Sequence, residues 1–418
     1  MSNLIFGMRR IIVCGAVVGA LFFAVPSQAH DKAETLSLET VLQAAMENSP
    51  ETARVLAEAA NSQAEAFEIE TPENPEFQMD LTAVEKKATR SVELELEQPL
   101  RLSHFGSRGS YADTLRRTAS LEEKAQLLEV RHSIIRAYAA FWALQEAEHV
   151  LGANADYVKG KQKLIENAAG EGRVDVSEAQ IFKAEALRLE EKLKTVRTER
   201  ISAGSALLRM AGMTQQNFVA ERPKSPEIPS MAELQQRADS EANIRSILES
   251  RGALAQRRYE VARQDAGFPE FAPRAVLSQD FDEDSTSFLL GFRVSLPVWQ
   301  RNNAEVMRAK AEQNLAARAL KAMDEHNFAN VLAASYEQAK ATQISASSYR
   351  NKILPEWEKV QTLIEKKFQG GQASVLDLWQ VRQKITDIQE ESLEMTLGAV
   401  DAQIELESLI GQILEIPQ

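Results

Sequence analysis

"SVELELEQPL", residues 91–100, poses the question on which the fold turns. Val92, Leu94 and Leu96 alternate with Glu93, Glu95 and Glu97, and the run stops at Pro99. Successive side chains of a β-strand point to opposite faces, so one face here is apolar and the other acidic. A soluble hairpin with a solvated acidic face satisfies this pattern. So does a strand with lipid on one side and water on the other.

The pattern recurs. In "SFLLGFRVSLP" (287–297), Phe288, Leu290, Phe292, Val294 and Leu296 share one face, while Gly291, Arg293 and Ser295 share the other, with Leu289 as the exception. The chain is in fact written twice. "NPEF" (74–77) matches "FPEF" (268–271), Pro99 matches Pro297, and "AAGEGRVDVSEAQ" (168–180) resembles "FQGGQASVLDLWQ" (368–380), with Gly172 on Gly371. Each copy reads as a helix, a hairpin, a very long helical stretch, a Gly-containing turn and a final helix. The expected organisation is a signal peptide (1–29), a first repeat (30–213, hairpin about 76–98), a Pro-rich segment (214–229) and a second repeat (230–418, hairpin about 273–297). The first helix is expected over about 38–70, and the second long helical stretch over about 301–369.

The helices carry a coiled-coil period. Leu127, Val130, Ile134, Ala137, Phe141, Leu144 and Leu151 keep 3-4 spacing, broken only by Glu148. The seam from Leu378 through Ile385, Ile388, Ala402 and Leu409 to Ile413 does the same. A sustained 3.5-residue repeat predicts a left-handed supercoil. About 65 helical residues span roughly 100 Å, far more than a globular domain needs. Taken alone, the helices read as a long soluble coiled coil.

Composition narrows the setting. The net charge of the 418-residue chain is -13, which excludes nucleic acid as partner because phosphate binding needs a basic surface. Arg9 and Arg10, the apolar run 11–25 and small residues Ser27 and Ala29 read as a secretory signal cleaved after Ala29. An uncleaved anchor is the alternative. The sole cysteine, Cys14, lies inside that signal, so the mature chain has no disulfide framework or thiol chemistry. No mature segment has the roughly 20 apolar residues of a spanning helix. Four strands cannot close a barrel, and unpaired edges are forbidden in lipid. Three chains would supply twelve strands, lipid outside and acid-lined water within.

The segments "NPEF", "LEQPLRLSHFGSRGSYA" (96–112) and "VSLPVWQRNNAEVMRAKAE" (294–312) resemble motifs of the TolC family of trimeric outer-membrane efflux factors, most closely its cobalt–zinc–cadmium branch serving RND (proton-driven) exporters. "RLSHFGSR" departs from the Gly-Gly-Lys-Arg turn usual in that branch. The resemblance covers the mature chain. It implies a mainly α, internally duplicated fold: a trimeric α-helical periplasmic tunnel plus a 12-stranded β-barrel in outer-membrane lipid. It also implies a periplasmic adaptor (membrane fusion) protein and an inner-membrane RND pump as partners. The periplasmic tips, where the adaptor would dock, would be Gly172, Arg173 and Val174 in copy one and Gly370, Gly371 and Gln372 in copy two. Asp377 matches a gating aspartate of the family, and Glu178 is its counterpart in the first copy. The family's other gate acid aligns with Gln380 and its tip arginine with Ala373, so the inherited gate is incomplete. First-turn carboxylates favoured by the helix dipole would look the same. Glu93, Glu95, Glu97 and Arg293 would line the lumen, where carboxylate rings concentrate cations.

Other chemistry has no support. The five histidines (30, 104, 132, 149, 326) lack the i, i+4 spacing of a helical zinc site. There is no phosphate loop and no nucleophile elbow. The expectation is a non-enzymatic conduit without cofactor or resident metal, for heavy-metal cations. A duct for drugs or secreted proteins, and a soluble periplasmic coiled-coil protein, are the competing readings.

Overall fold

The computed structural model describes residues 34–83, 90–171, 175–214, 218–240, 243–295, 303–325 and 328–414. The expected signal segment, the first-tip residues Gly172, Arg173 and Val174, and Pro297 lie outside the described residues.

The chain opens with β1 (Glu34–Leu36), α1 (Leu38–Asn48) and α2 (Pro50–Glu70). The single helix expected over 38–70 is therefore two. Ser49 ends α1 and caps α2, its hydroxyl accepting from the Glu51 N–H, and Pro50 occupies the first turn. Proline is suited to a helix start and cannot continue a preceding helix.

The two hairpins are β2 (Glu76–Ala83) with β3 (Arg90–Glu97), and β5 (Glu270–Asp280) with β6 (Ser285–Ser295). They join into one antiparallel sheet of order β2-β3-β5-β6, leaving β2 and β6 as edges. A 3₁₀ turn (Leu102–Phe105) leads from β3 into α3 (Ser107–Gly170), 64 residues long. At 1.5 Å per residue α3 runs about 96 Å. It returns as α4 (Val176–Ala211). β4 (Phe218–Ala220) pairs in parallel with β1, and α5 (Met231–Ser240) and α6 (Ile244–Gly267) lead to the second hairpin.

After β6 come α7 (Asn303–Glu325), α8 (Phe328–Ser348), a π turn (Tyr349–Ile353), α9 (Leu354–Gln369) and α10 (Val375–Ile410). The stretch expected as one helix over 301–369 thus widens at the π turn, just ahead of Pro355. Proline has no N–H for the preceding turn, and a π turn absorbs that interruption. Among the described residues, no helix is long and apolar enough to cross a membrane.

α3 is the spine. Mid-way along it Ile134, Tyr138, Phe141 and Trp142 pack with Leu207 and Ala211 of α4, Val400 and Ile404 of α10, and the small β1/β4 layer. Gly204 fits here because a Cβ would lie 2.9 Å from the Phe141 ring. Gly212 ends α4 at φ +66° with Asn48 O only 2.4 Å from where a Cβ would be. The Tyr138 hydroxyl reaches both Leu36 O (2.8 Å) and Glu221 O (2.9 Å), tying the strap that follows β4 to the spine. Along that strap Arg222 stacks over Trp142, Pro223 and Pro226 are buried, and Gln343 donates to Pro226 O. The described part of the Pro-rich segment, 218–229, therefore packs as a belt across the helices, a point the sequence left open.

Candidate functional site

The sheet has two faces of opposite chemistry, and its register aligns each across all four strands. One row runs Phe77, Leu96, Ala275, Leu290, and the next Met79, Leu94, Leu277, Phe288. Pro273 with Phe292 and Phe271 with Val294 extend this face toward the helices. Among the described residues nothing covers it: Phe77 is 66% exposed, Leu290 72% and Phe292 65%. Monomeric soluble proteins rarely leave a contiguous apolar surface of this kind open.

On the opposite face, Glu76, Glu97, Arg274 and Gly291 form one row, and Asp80, Glu93, Ser278 and Ser287 another. Arg293 approaches Glu97 at 2.8 Å and Glu95 at 3.6 Å, and Arg274 donates to Glu95 at 3.2 Å. Gly291 sits beside the Arg274 side chain, whose Nε would be 3.7 Å from a Cβ there. The three glutamates are thus not equivalent. Glu95 and Glu97 are largely buried by arginines, while Glu93 is exposed and makes no ion pair among the described residues. A ladder of three free carboxylates, as the sequence suggests, is reduced to one. Arg274 escaped sequence reading because Pro273 and Val276 obscure the alternation of β5.

At the sheet–helix junction Arg101 pairs with Glu73 (3.1 Å) and Glu270 (3.4 Å), and Arg108 with Asp265 (2.8 Å). His104 Nδ1 accepts the Arg101 N–H, so this histidine is the turn residue its position implies. Burial, then the charge of Arg108, hold its pKa below the ordinary imidazole value.

At the far end, α9 closes in a Schellman turn. Gly371 takes φ +71°, its N–H meets Phe368 O, and the Gln372 N–H meets Lys367 O. Only a residue tolerant of left-handed backbone suits that position. Ser374 and Asp377 then form a reciprocal capping box: the Asp377 N–H donates to Ser374 Oγ (3.1 Å), and the Ser374 N–H donates to Asp377 Oδ2 (2.8 Å). These bonds, the backbone one first, hold the Asp377 pKa below the usual aspartate value. In copy one Asp175 caps α4, and half-buried Glu178 lies in its first turn. Phe182, one turn past Glu178, packs edge-on to Trp379, two residues past Asp377, with ring centroids 5.7 Å apart. The N-terminal ends of α4 and α10 thus meet within one chain. Among the described residues, no cluster of three or more His, Cys, Asp or Glu suits a metal ion.

One buried polar pair was not legible in the sequence. His132 Nε2 on α3 lies 2.9 Å from Glu407 Oε2 on α10, both fully buried. Gln403 and the Leu414 N–H donate to Glu407 as well. Its partners lie far apart in the chain on two helices that both read as apolar seams.

Residues 237–412 match the family model described as outer membrane efflux protein. The match covers most of the second repeat. Solved outer-membrane and transmembrane-channel structures extend the likeness across nearly the whole chain. The outer membrane protein VceC of Vibrio cholerae has a TM-score of 0.72 at 16% identity, covering 90% of this chain and 97% of its own. CusC, described in terms of folding and transmembrane channel formation, has a TM-score of 0.71 at 15% identity over 93% and 96%. The CmeC outer membrane channel of Campylobacter jejuni has a TM-score of 0.72 at 14% identity over 91% and 87%. At such identities the likeness establishes a shared fold: mainly helical and duplicated, with a small sheet. No curated protein sequence matches this chain.

Proposed function

We propose that this chain is one third of a trimeric outer-membrane efflux channel, the passive exit duct of a tripartite exporter. A periplasmic adaptor and an inner-membrane RND pump complete the conduit and supply its energy. The observation that carries this is the uncovered apolar sheet face bounded by two free edges. Lipid is the solvent that face requires, and lipid forbids open edges. Pairing β6 of one chain with β2 of the next in a ring of three closes twelve strands, an even number as in single-chain bacterial barrels. The same ring sets α7 beside the next chain's α2. Both carry uncovered apolar side chains: Met307 and Leu315 on one, Leu56 and Phe67 on the other.

The polar face then lines the lumen through Glu93, Glu95, Glu97 and Arg293, joined by Arg274. The exposed Glu93 and Asp80 row gives a carboxylate ring without paired arginines, which favours heavy-metal cations as substrate. The Arg274 and Arg293 pairs dilute that preference, so a duct for drugs or secreted proteins is the second reading. The tips, with Gly172, Arg173 and Val174 in one turn and Gly370, Gly371 and Gln372 in the other, dock the adaptor. Asp377 and Glu178 ring the opening there, Asp377 held charged by its capping box. Secretion with cleavage after Ala29 delivers the chain to the outer membrane.

Growth of a strain lacking the gene, across zinc, cadmium, cobalt, nickel, copper and silver with dyes and detergents alongside, tests the substrate. Sensitivity to metals with normal dye tolerance is expected. Sensitivity to dyes and detergents alone would remove the metal assignment and leave the duct.

A further inference from the structure

Mid-way along the helical body, a groove of about 840 Å³ opens between the strap, the π turn and α10. Four cations line it: Arg222 and Lys224 from the strap, Arg350 and Lys352 from the π turn. Hydroxyls of Ser225 and Ser347 stand among them, and Thr396 and Ala399 of α10 form part of the wall. No aspartate or glutamate lines it, although the chain has 61 acidic residues against 48 basic ones. Elsewhere the arginines are generally ion-paired, Arg54, Arg116, Arg258 and Arg293 among them. Among the described residues, these four cations form no ion pair. Arg222 is held by its stack on Trp142, with the guanidinium 5.4 Å from the ring centroid. Burial first, then the like charge of Arg350, lower its pKa, and Glu146 of α3 offsets this without pairing. Two guanidiniums are therefore held within each other's field without a carboxylate between them. The π turn adds a reason for their placement: its wider backbone circuit presents Arg350 and Lys352 together, and such turns are frequent at functional sites.

We propose that this groove binds a soluble, multiply charged oxyanion, one bearing two or more phosphate or carboxylate groups. The donors match that chemistry. Guanidinium forks bind such oxygens in pairs, ammonium groups add point charge, and serine hydroxyls complete the shell. The volume exceeds what one inorganic phosphate fills, which favours a ligand with several charged groups. Phosphates of the membrane holding the sheet do not reach it. Arg222 stacks on Trp142, and from Ser107 to Trp142 the continuous helix α3 runs about 50 Å. The ligand is therefore soluble. Bound there, it bridges the strap to α8, α10 and the π turn, and so clamps the belt onto the helices.

The test is calorimetric titration of the full chain in detergent at low salt, with inorganic pyrophosphate, citrate and, as a monovalent control, acetate. Saturable binding of pyrophosphate or citrate at one per chain is expected, with acetate giving none. Pyrophosphate against citrate separates phosphate from carboxylate ligands. Arg350→Gln with Lys352→Gln, both exposed and without ion-pair partners among the described residues, leaves folding unchanged and weakens binding by about tenfold or more, since charge-assisted bonds are lost. Thermal scans give a second readout: the ligand raises the melting temperature of the parent chain and not of the double variant. The proposal is overturned if neither polyanion binds saturably, or if the double variant binds as tightly as the parent.

Discussion

Leu290→Arg is the sharpest perturbation of the two-faced sheet. Leu290 sits at the centre of β6, opposite Ala275, and is 72% exposed within one chain. If that exposure is to lipid, an arginine there stands near the bilayer midplane, where it costs about 2–4 kcal/mol in a barrel. Three chains carry the substitution, so a trimer loses about 6–12 kcal/mol. That is comparable with the roughly 5–15 kcal/mol by which whole domains are stable. Ser278→Arg is the matched control: it adds the same charge to a neighbouring strand on the polar face, directly opposite Glu93. The assay is the amount of trimer in outer-membrane fractions, by density gradient and unboiled gel, with increasing urea. Leu290→Arg should abolish or sharply reduce the trimer, and Ser278→Arg should leave it near the parent level. Equal abundance of the two variants would refute the assignment of faces.

Other perturbations give distinct signatures. Gly212→Ala places a methyl against Asn48 O at a positive φ, so the α1–α4 contact should loosen by about 1–3 kcal/mol; faster proteolytic nicking near residue 212 would report it, and unchanged cleavage would count against the packing. Arg293→Gln leaves Glu97 without its 2.8 Å partner, and the conductance of reconstituted channels should become more cation-selective. The second tip should respond to acid. The Asp377 pKa is depressed in the folded chain, so its capping contribution is complete above the ordinary aspartate pKa of about 3.9 and is lost as pH falls through the lower folded value. The protection of amides 374–378, corrected for the intrinsic exchange rate, should therefore fall as pH drops below the ordinary aspartate value, and Asp377→Asn should abolish that pH dependence.

Local features were legible in the sequence and distant ones were not. The alternation in 91–98 and 287–297 is a period of two over many residues, and it placed both hairpins. Gly371 announces a turn through its tolerance of left-handed backbone. The break at Ser49–Pro50 was also written in the sequence, since proline cannot continue a preceding helix. The Arg274–Glu95 pair joins residues 179 apart, and His132–Glu407 residues 275 apart. Such pairs depend on strand order and helix adjacency, which periodicity does not encode. The strap's docking is of the same kind: Pro223 and Pro226 read as a linker until Trp142 and Gln343 are seen beneath them.

Ring closure by three chains is the central claim, and edge cross-linking tests it most directly. Cys14 lies in the expected signal segment, so cysteines introduced on the edges would be the only ones in the mature chain. Single cysteines on β2 at Gln78 and Asp80 should be combined with partners on β6 at Ser287 and Leu289, then oxidised in intact outer membranes. The account predicts that at least one combination yields a covalent trimer on a denaturing gel, and that either cysteine alone yields none. Monomers from every combination, in a protein that still fractionates with the outer membrane, would contradict closure through β2 and β6.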